Sequence, residues 1–415
     1  MKINFLFKFI GRSLRIALVC CSVMFFAVSC SDDDPKTDPE TELEIDHTPE
    51  PEPEPAAIVE EGTTGALSWK LDENGVLTIS GNGEMPDYEW NTMPWYDFRE
   101  LIKTVVVEPG ITSIGDRAFM GTQLTNVTMP NSVANIGMGA FYGCGSIKSI
   151  VIPQGVTGIG KEVFFNCSSL TSITIPNSVL SIEEGTFTGC YRLTDIAIPN
   201  SVTSISGNPF WSTNLTNIEI AANHPHYAFE NGILLSKAKD VLIYMADSKG
   251  ECIIPDGVKS IGNYAFMRCS DLTSIIIPNG VTNIGNSAFT SCSGLTSITI
   301  PDGVTNIGDH AFAHCSGLTS INIPVGVTNI ESYVFYNCSG LPNITIPDGV
   351  TNIGSCAFYG CTGLISVTIL ATTPPILRGD NFTADNDILY VPAGCVAAYK
   401  ATNWNDVFTT ITEIK

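Results

Sequence analysis

Phenylalanine returns along this chain on a fixed beat. It stands at Phe119, Phe141, Phe164, Phe187 and Phe210, then at Phe266, Phe289, Phe312, Phe335 and Phe358, and every step but two is 23 residues. One exception is 22 and the other 56, which places a degenerate coil with an insertion between Phe210 and Phe266. Prolines keep the same register at Pro130, Pro153, Pro176 and Pro199, then from Pro255 to Pro347. A unit of this length cannot bury its apolar face alone, so successive units stack as the coils of a solenoid. Function in such a fold sits on a face, in an insertion or at an end.

Residues 295–317, LTSITIPDGVTNIGDHAFAHCSG, show how one unit folds. Leu295, Ile298 and Ile300 are apolar with Ser297 and Thr299 between them, the period-2 mark of a strand with one buried face. Pro301 cannot donate to a ladder and stops the strand, and Asp302-Gly303 turns the chain. Val304, Ile307, Ala311 and Phe312 then return to the interior along an arc predicted as short helical or 3-10 structure.

The repeated pattern GVTxIGxxAFxxCxxLTSIxIP over roughly residues 111–370 resembles the 23-residue leucine-rich repeat of BspA-like bacterial surface proteins. The resemblance implies a leucine-rich repeat solenoid of the α/β class, rich in β-structure. It would be a curved, right-handed coil stack with a parallel sheet on its concave side and short helical or 3-10 arcs on the other. It also implies adhesion to host matrix proteins or other cells. A repeat pattern identifies a scaffold and not a ligand.

At the N-terminus Lys2, Lys8, Arg12 and Arg15 precede an apolar run, Ile16 to Val28, that is too short to span a bilayer and reads as a secretory signal over residues 1–29. Ser29-Cys30 resembles a lipobox with alanine at position 27 in place of the usual leucine, which makes Cys30 the expected lipidated first residue. Ser31-Asp32-Asp33-Asp34 resembles the export signal of lipoproteins placed on the outer face of the outer membrane. An acidic start to a periplasmic linker is the alternative. Residues 31–61 hold 13 acidic residues, one lysine and six prolines, a composition that forms no core and reads as an extended tether over 30–62. Taking the tether's charges and the leader's four bases from 42 acidic and 20 basic residues leaves residues 62–415 at about −14, which disfavours nucleic acid and anionic membrane as partners.

Of the 14 cysteines, Cys144, Cys167, Cys190, Cys269, Cys292, Cys315, Cys338 and Cys361 each follow the repeat phenylalanine by three. Stacked coils set such residues about 4.8 Å apart with parallel side chains, a direction a disulfide does not accept, so a column of buried thiols is expected. Cys252, Cys356 and Cys395 fall outside this ladder. His310 and His314 lie four apart beside Asp309, a metal spacing on a helix, but repeat drift explains them, and His224-x-His226 reads as loop. No nucleophile elbow, phosphate loop or HExxH is present, so no catalysis, metal or cofactor is expected.

The outward strand columns, such as Ser297, Thr299, Ser320 and Asn322, are small and lack the Trp, Tyr and Arg of binding hot spots. Larger side chains gather elsewhere. The N-terminal cap, residues 63–110, opens with two strand-like runs joined at Glu73-Asn74-Gly75, a hairpin turn. It continues with Tyr88, Trp90, Trp95 and Tyr96, read either as a seal on the first coil or as a ligand patch. The insertion, 221–251, reads as a projecting hairpin with Lys237, Lys239 and Asp240 at its tip. The C-terminal cap, 371–415, carries a strand at Ile388–Val391, a short helix and a covering Trp404 and Phe408. Candidate ligand residues are therefore Tyr88, Trp90, Trp95, Tyr96, Trp211, Lys237 and Lys239. The leading expectation is a non-enzymatic surface adhesin with a protein or glycan ligand on host or neighbouring cells. The second is a surface glycan-binding lipoprotein for nutrient capture.

Overall fold

The computed structural model of the protein describes residues 56–246, 249–383 and 386–415. Cys30, the leader and the tether up to residue 55 lie outside them. The strand predicted in each coil is present, and equivalent coils pair in parallel one period apart, with Ser172 opposite Ser149 and Ile173 opposite Ile150. The Ile or Val at its centre is buried and its neighbours face outward, as at Asp195–Ile198 and Asn343–Ile346.

A second parallel ladder was not foreseen. It runs through Asn135–Ile136, Gly158–Ile159, Ser181–Ile182 and Ser204–Ile205, and again through Ser260–Ile261, Asn283–Ile284 and Asn306–Ile307. Two-residue strands carry almost no periodicity, which hid them. Side chains reinforce this edge, because the Asn306 amide donates to the Asn283 carbonyl oxygen at 2.6 Å and Asn352 donates to Asn329 at 2.9 Å.

The arc that follows is not helical, and here the expectation of helical or 3-10 arcs is corrected. Among the described residues the helical pieces are confined to the two caps. In the arcs, residues two before and two after the repeat phenylalanine take positive φ, for example His310 at 57° and His314 at 59° around Phe312. That geometry aims backbone N–H groups at the next coil. His310 N donates to Ser332 O, Phe312 N to Val334 O and His314 N to Tyr336 O, and other coils repeat the set. A helix would have spent these donors within its own turn.

Inside, the phenylalanines stack in two runs, Phe119 to Phe210 and Phe266 to Phe358, with Phe289 and Phe312 lying 5.2 Å apart and within 1° of parallel. The sequence understated the length of both. Trp95 stacks on Phe119 at 5.9 Å and Phe382 on Phe358 at 5.1 Å, each 24 residues away and so off the beat. The cysteine column is buried and forms no disulfides. Each Sγ from Cys292 onward donates to the carbonyl of the preceding coil's phenylalanine at 3.1 Å, so the thiol closes a backbone acceptor while filling a small space. Burial pushes the Cys144 and Cys361 thiols up to about 12, so they stay protonated donors.

The insertion does not project. Tyr227–Glu230, Ile233–Ser236 and Val241–Met245 form an antiparallel sheet, and the last strand joins the second ladder in parallel with Ser260–Ile261. Leu234 and Tyr244 belong to the N-terminal apolar cluster, whereas Ile233, Leu235, Leu242 and Met245 belong to the C-terminal one. The inserted sheet thus supplies both sides with apolar contacts, and Tyr244 takes the phenylalanine's place, 5.5 Å from Phe210.

His224, read as loop, is fully buried. Its Nδ1 accepts from the backbone N–H of His226 and of Tyr227, both at 3.1 Å, which fixes the proton on Nε2, 3.0 Å from Pro199 O. Burial lowers its pKa below 6.5. The unfolded chain then binds the extra proton more readily, so this contribution to stability is full above pH 6.5 and is lost as pH falls through the lowered pKa. The parent protein should therefore lose more melting temperature between pH 7.5 and 5 than His224→Gln does. Equal losses in the two proteins would contradict the neutral, buried role.

Both caps are built as sheet extensions. The first strand, Ile58–Thr64, starts inside the segment read as tether and pairs with Leu67–Asp72. The hairpin to Val76–Gly81 turns at Gly75, whose φ of 79° suits glycine. At the other end Asn386–Val391 and Phe408–Glu413 continue the first ladder in parallel, and Trp404 and Phe408 close over Phe382.

Candidate functional site: an aromatic row on the arc face

The sheet face is as plain as its sequence. Its outward residues are small, and nearby threonine hydroxyls are spent on the scaffold, Thr171 donating to Lys148 O and Thr319 to Thr296 O. Exposed apolar exceptions are Val151 and the paired Ile253 and Ile276.

The arc face differs. In several coils the side chain just after the repeat phenylalanine, or the one two before it, is partly exposed, as Tyr142, Phe165, Trp211 and Tyr264 are. In most soluble folds an exposed left-handed position selects glycine, and Gly139, Gly143, Gly185 and Gly189 follow that rule. Large rings also stand at such positions or beside them, Tyr142 next to Gly143 among them. Trp90 from the cap, 60% exposed, meets Tyr142 edge-on at 5.9 Å. Tyr142 stacks on Phe165 at 4.7 Å and 3°. Phe165 meets Trp211 at 5.9 Å, and Trp211 lies along Tyr264 at 6.3 Å. Trp211 and Phe165 belong to coils on either side of the Phe187 coil, which carries Gly185, a buried Thr188 and Gly189 there and leaves the space open. The result is a continuous row of five rings, Trp90 exposed and the other four half-buried.

Polar groups edge the row. Lys161 and Glu184 pair at 3.1 Å, and Glu184 raises the lysine pKa through hydrogen bond and charge. Burial, and secondarily Glu184, raises the Tyr264 phenol; burial, and secondarily Glu162, raises that of Tyr142. Both phenols are O–H groups at neutral pH, able to donate and accept.

The structure divides the predicted ligand residues into four sets. Trp90 and Trp211 lie on this row. Tyr88 and Trp95 do not, and their candidacy is corrected. Trp95 is fully buried, with its indole N–H 2.8 Å from Ala118 O, and the buried Tyr88 hydroxyl shares a 2.7 Å hydrogen bond with Thr64. Tyr96 is half-buried beneath the Arg99 guanidinium, 4.2 Å from its ring centroid. Lys237 and Lys239 line a groove of about 410 Å³ with Ile220, Tyr227 and Phe229. Lys239 is neutralised there by Glu230 at 2.8 Å, and Lys237 donates to Ala222 O. Tyr142, Phe165 and Tyr264 were missed, although their positions one after and two before the repeat phenylalanine were legible signals.

His310 and His314 sit on separate turns with left-handed backbones and not on one helix face, so the spacing that suggested a metal loses its meaning. Among the described residues no group of three or more His, Cys, Asp or Glu is placed to hold a metal ion.

Comparison with known proteins agrees with this architecture. The chain is similar to a leucine-rich repeat protein from Eubacterium ventriosum, with 27% identity and a TM-score of 0.62 over 79% of this chain and 94% of the other. It is similar also to a leucine-rich cell surface protein from Faecalibacterium prausnitzii, with 29% identity and a TM-score of 0.60 over 75% and 94%. The pneumococcal vaccine antigen PcpA, 18% identical with a TM-score of 0.56 over 86% and 99%, shares the fold. No curated protein matches the chain. The model of the BspA type leucine rich repeat region matches residues 112–235 and 244–376, so the chain belongs to the BspA-type leucine-rich repeat proteins.

Proposed function

We propose that this protein is a non-enzymatic cell-surface adhesin, held to the outer membrane through a lipid on Cys30 and presenting its repeats to ligands on host matrix or neighbouring cells. The observation that carries the reading is the arc-face row, because exposed rings in a fold whose other outward columns are small are the natural anchors for recognition. The short leader, the Cys30 context and the acidic tether support the anchor. The similarity to a cell surface protein of F. prausnitzii supports the location.

Two results are expected. Protease added to intact cells should remove the repeat domain, and Cys30→Ala should release or mislocalise it; a domain protected on intact cells would refute the exterior placement. Trp90→Ala together with Trp211→Ala should weaken attachment to the ligand-bearing surface at least tenfold with little change in melting temperature. Attachment that survives this change but is lost on substituting Ser297, Thr299, Ser320 and Asn322 would move the site to the sheet face.

A further inference from the structure

We propose that the arc face is a track for a neutral, linear polysaccharide, with a second subsite at His310, Tyr333, Tyr336 and Tyr359 in line with the row from Trp90 to Tyr264. This rests on the arc face being the interaction surface, and adds the ligand's class and a further site.

Repeat register places the two clusters on one line. Tyr336 and Tyr359 follow their repeat phenylalanines by one, as Tyr142, Phe165 and Trp211 do, while His310 and Tyr333 precede theirs by two, as Tyr264 does. Only the Phe289 coil, with Ser287, Thr290 and Ser291, separates Tyr264 from His310, a gap of about 10 Å at about 4.8 Å per coil. A ligand that engages both clusters is therefore long and extended.

The second cluster has its own packing. The His310 and Tyr333 rings are parallel at 4.5 Å, Tyr336 and Tyr359 nearly parallel at 6.0 Å, and Tyr333 meets Tyr336 at 68°. His310 and Tyr333 hold φ of 57° and 59°, where a glycine would sit without penalty and where the Phe141 and Phe187 coils use Gly139 and Gly185. Tyrosine offers an apolar ring and a hydroxyl together, which matches a pyranose with its C–H face and its rim of hydroxyls. The first row repeats that chemistry at Tyr142 and Tyr264.

Charge and hydrogen bonding narrow the ligand. Residues 62–415 carry about −14, and Lys161 beside the row is already paired with Glu184, so an acidic polymer is repelled. The arc N–H groups donate to the next coil, as His310 and His314 do, so an extended polypeptide finds no backbone ladder to join. A neutral glycan needs neither a cation nor a strand edge.

The test is affinity electrophoresis and calorimetry of the full-length protein with xylan and mixed-linkage β-glucan as neutral chains, hyaluronan as an acidic chain and gelatin as a polypeptide. At least one neutral chain should bind while hyaluronan does not. Trisaccharides of that chain should bind at least tenfold more weakly than the polymer, because they reach one cluster only. Tyr333→Ala with Tyr336→Ala, and separately Trp90→Ala with Trp211→Ala, should each weaken polymer binding at least tenfold. Tyr359→Ala, which removes a ring 42% exposed, should weaken it at least threefold without changing the melting temperature and so separates binding from packing. No binding to either neutral chain, or polymer binding unchanged in the variants, overturns the proposal. Gelatin binding that is lost in the Trp90 and Trp211 variant without neutral-chain binding overturns the glycan assignment alone. Ligand binding of every kind unchanged in all the variants overturns the arc-face reading as well.

Discussion

Phe312→Ala is expected to lower stability by about 3–5 kcal/mol, the range for deleting a fully buried aromatic ring. Phe312 has no exposed surface and lies between Phe289 at 5.2 Å and Phe335 at 5.7 Å, both within 7° of parallel. The loss combines transfer free energy with a cavity, and the coils around it are tied together by backbone bonds that limit collapse. It should also propagate, since in a stacked array each coil is stabilised through its neighbours. Thr299→Ala is the control, exposed just after the Ser297–Ile298 strand and expected to change stability by less than about 0.5 kcal/mol. Chemical denaturation of both variants checks the register, and a Phe312→Ala midpoint equal to that of the parent would contradict it.

Trp95→Ala should cost a similar amount, about 3–5 kcal/mol, and Trp90→Ala less than about 1 kcal/mol, although the two lie five residues apart in one aromatic segment. Trp95 is the first rung of the stack, packed on Phe119 at 5.9 Å, edge-on to Trp69 at 5.9 Å and to Tyr88 at 5.6 Å. Its removal also leaves Ala118 O without its side-chain donor. Trp90 is 60% exposed and meets Tyr142 edge-on at 5.9 Å. Denaturation midpoints and ligand binding should therefore respond in opposite ways, Trp95→Ala moving the first and Trp90→Ala the second. A Trp95→Ala protein as stable as the parent would restore that residue as a ligand candidate.

The repeat residues themselves carried the scaffold. Phe312, Ile298, Pro301 and Cys315 each specify a buried ring, a strand, a strand end and a small thiol, because a 23-residue beat leaves every coil the same packing problem. The hairpin at Gly75 and the covering role of Trp404 were equally local. Such features depend on one residue type in one register, and that is visible without coordinates.

Where a residue's meaning depends on another coil, the chain alone was silent. Trp95 and Trp90 look alike in sequence, and only the position of the first coil buries one and leaves the other out. His224 becomes a backbone acceptor because Pro199 O and two N–H groups meet it after folding. Ile233 and Leu234 part to opposite apolar clusters because the inserted sheet lies between two halves of the stack. The arcs refused to become helices because their N–H donors point to neighbouring coils. Sequence thus determined the repeat, its core and its strand face, which follow from local alternation and burial. Tertiary structure decided the continuous row from Trp90 to Tyr264, since rings up to 53 positions apart in sequence become neighbours only when the coils stack.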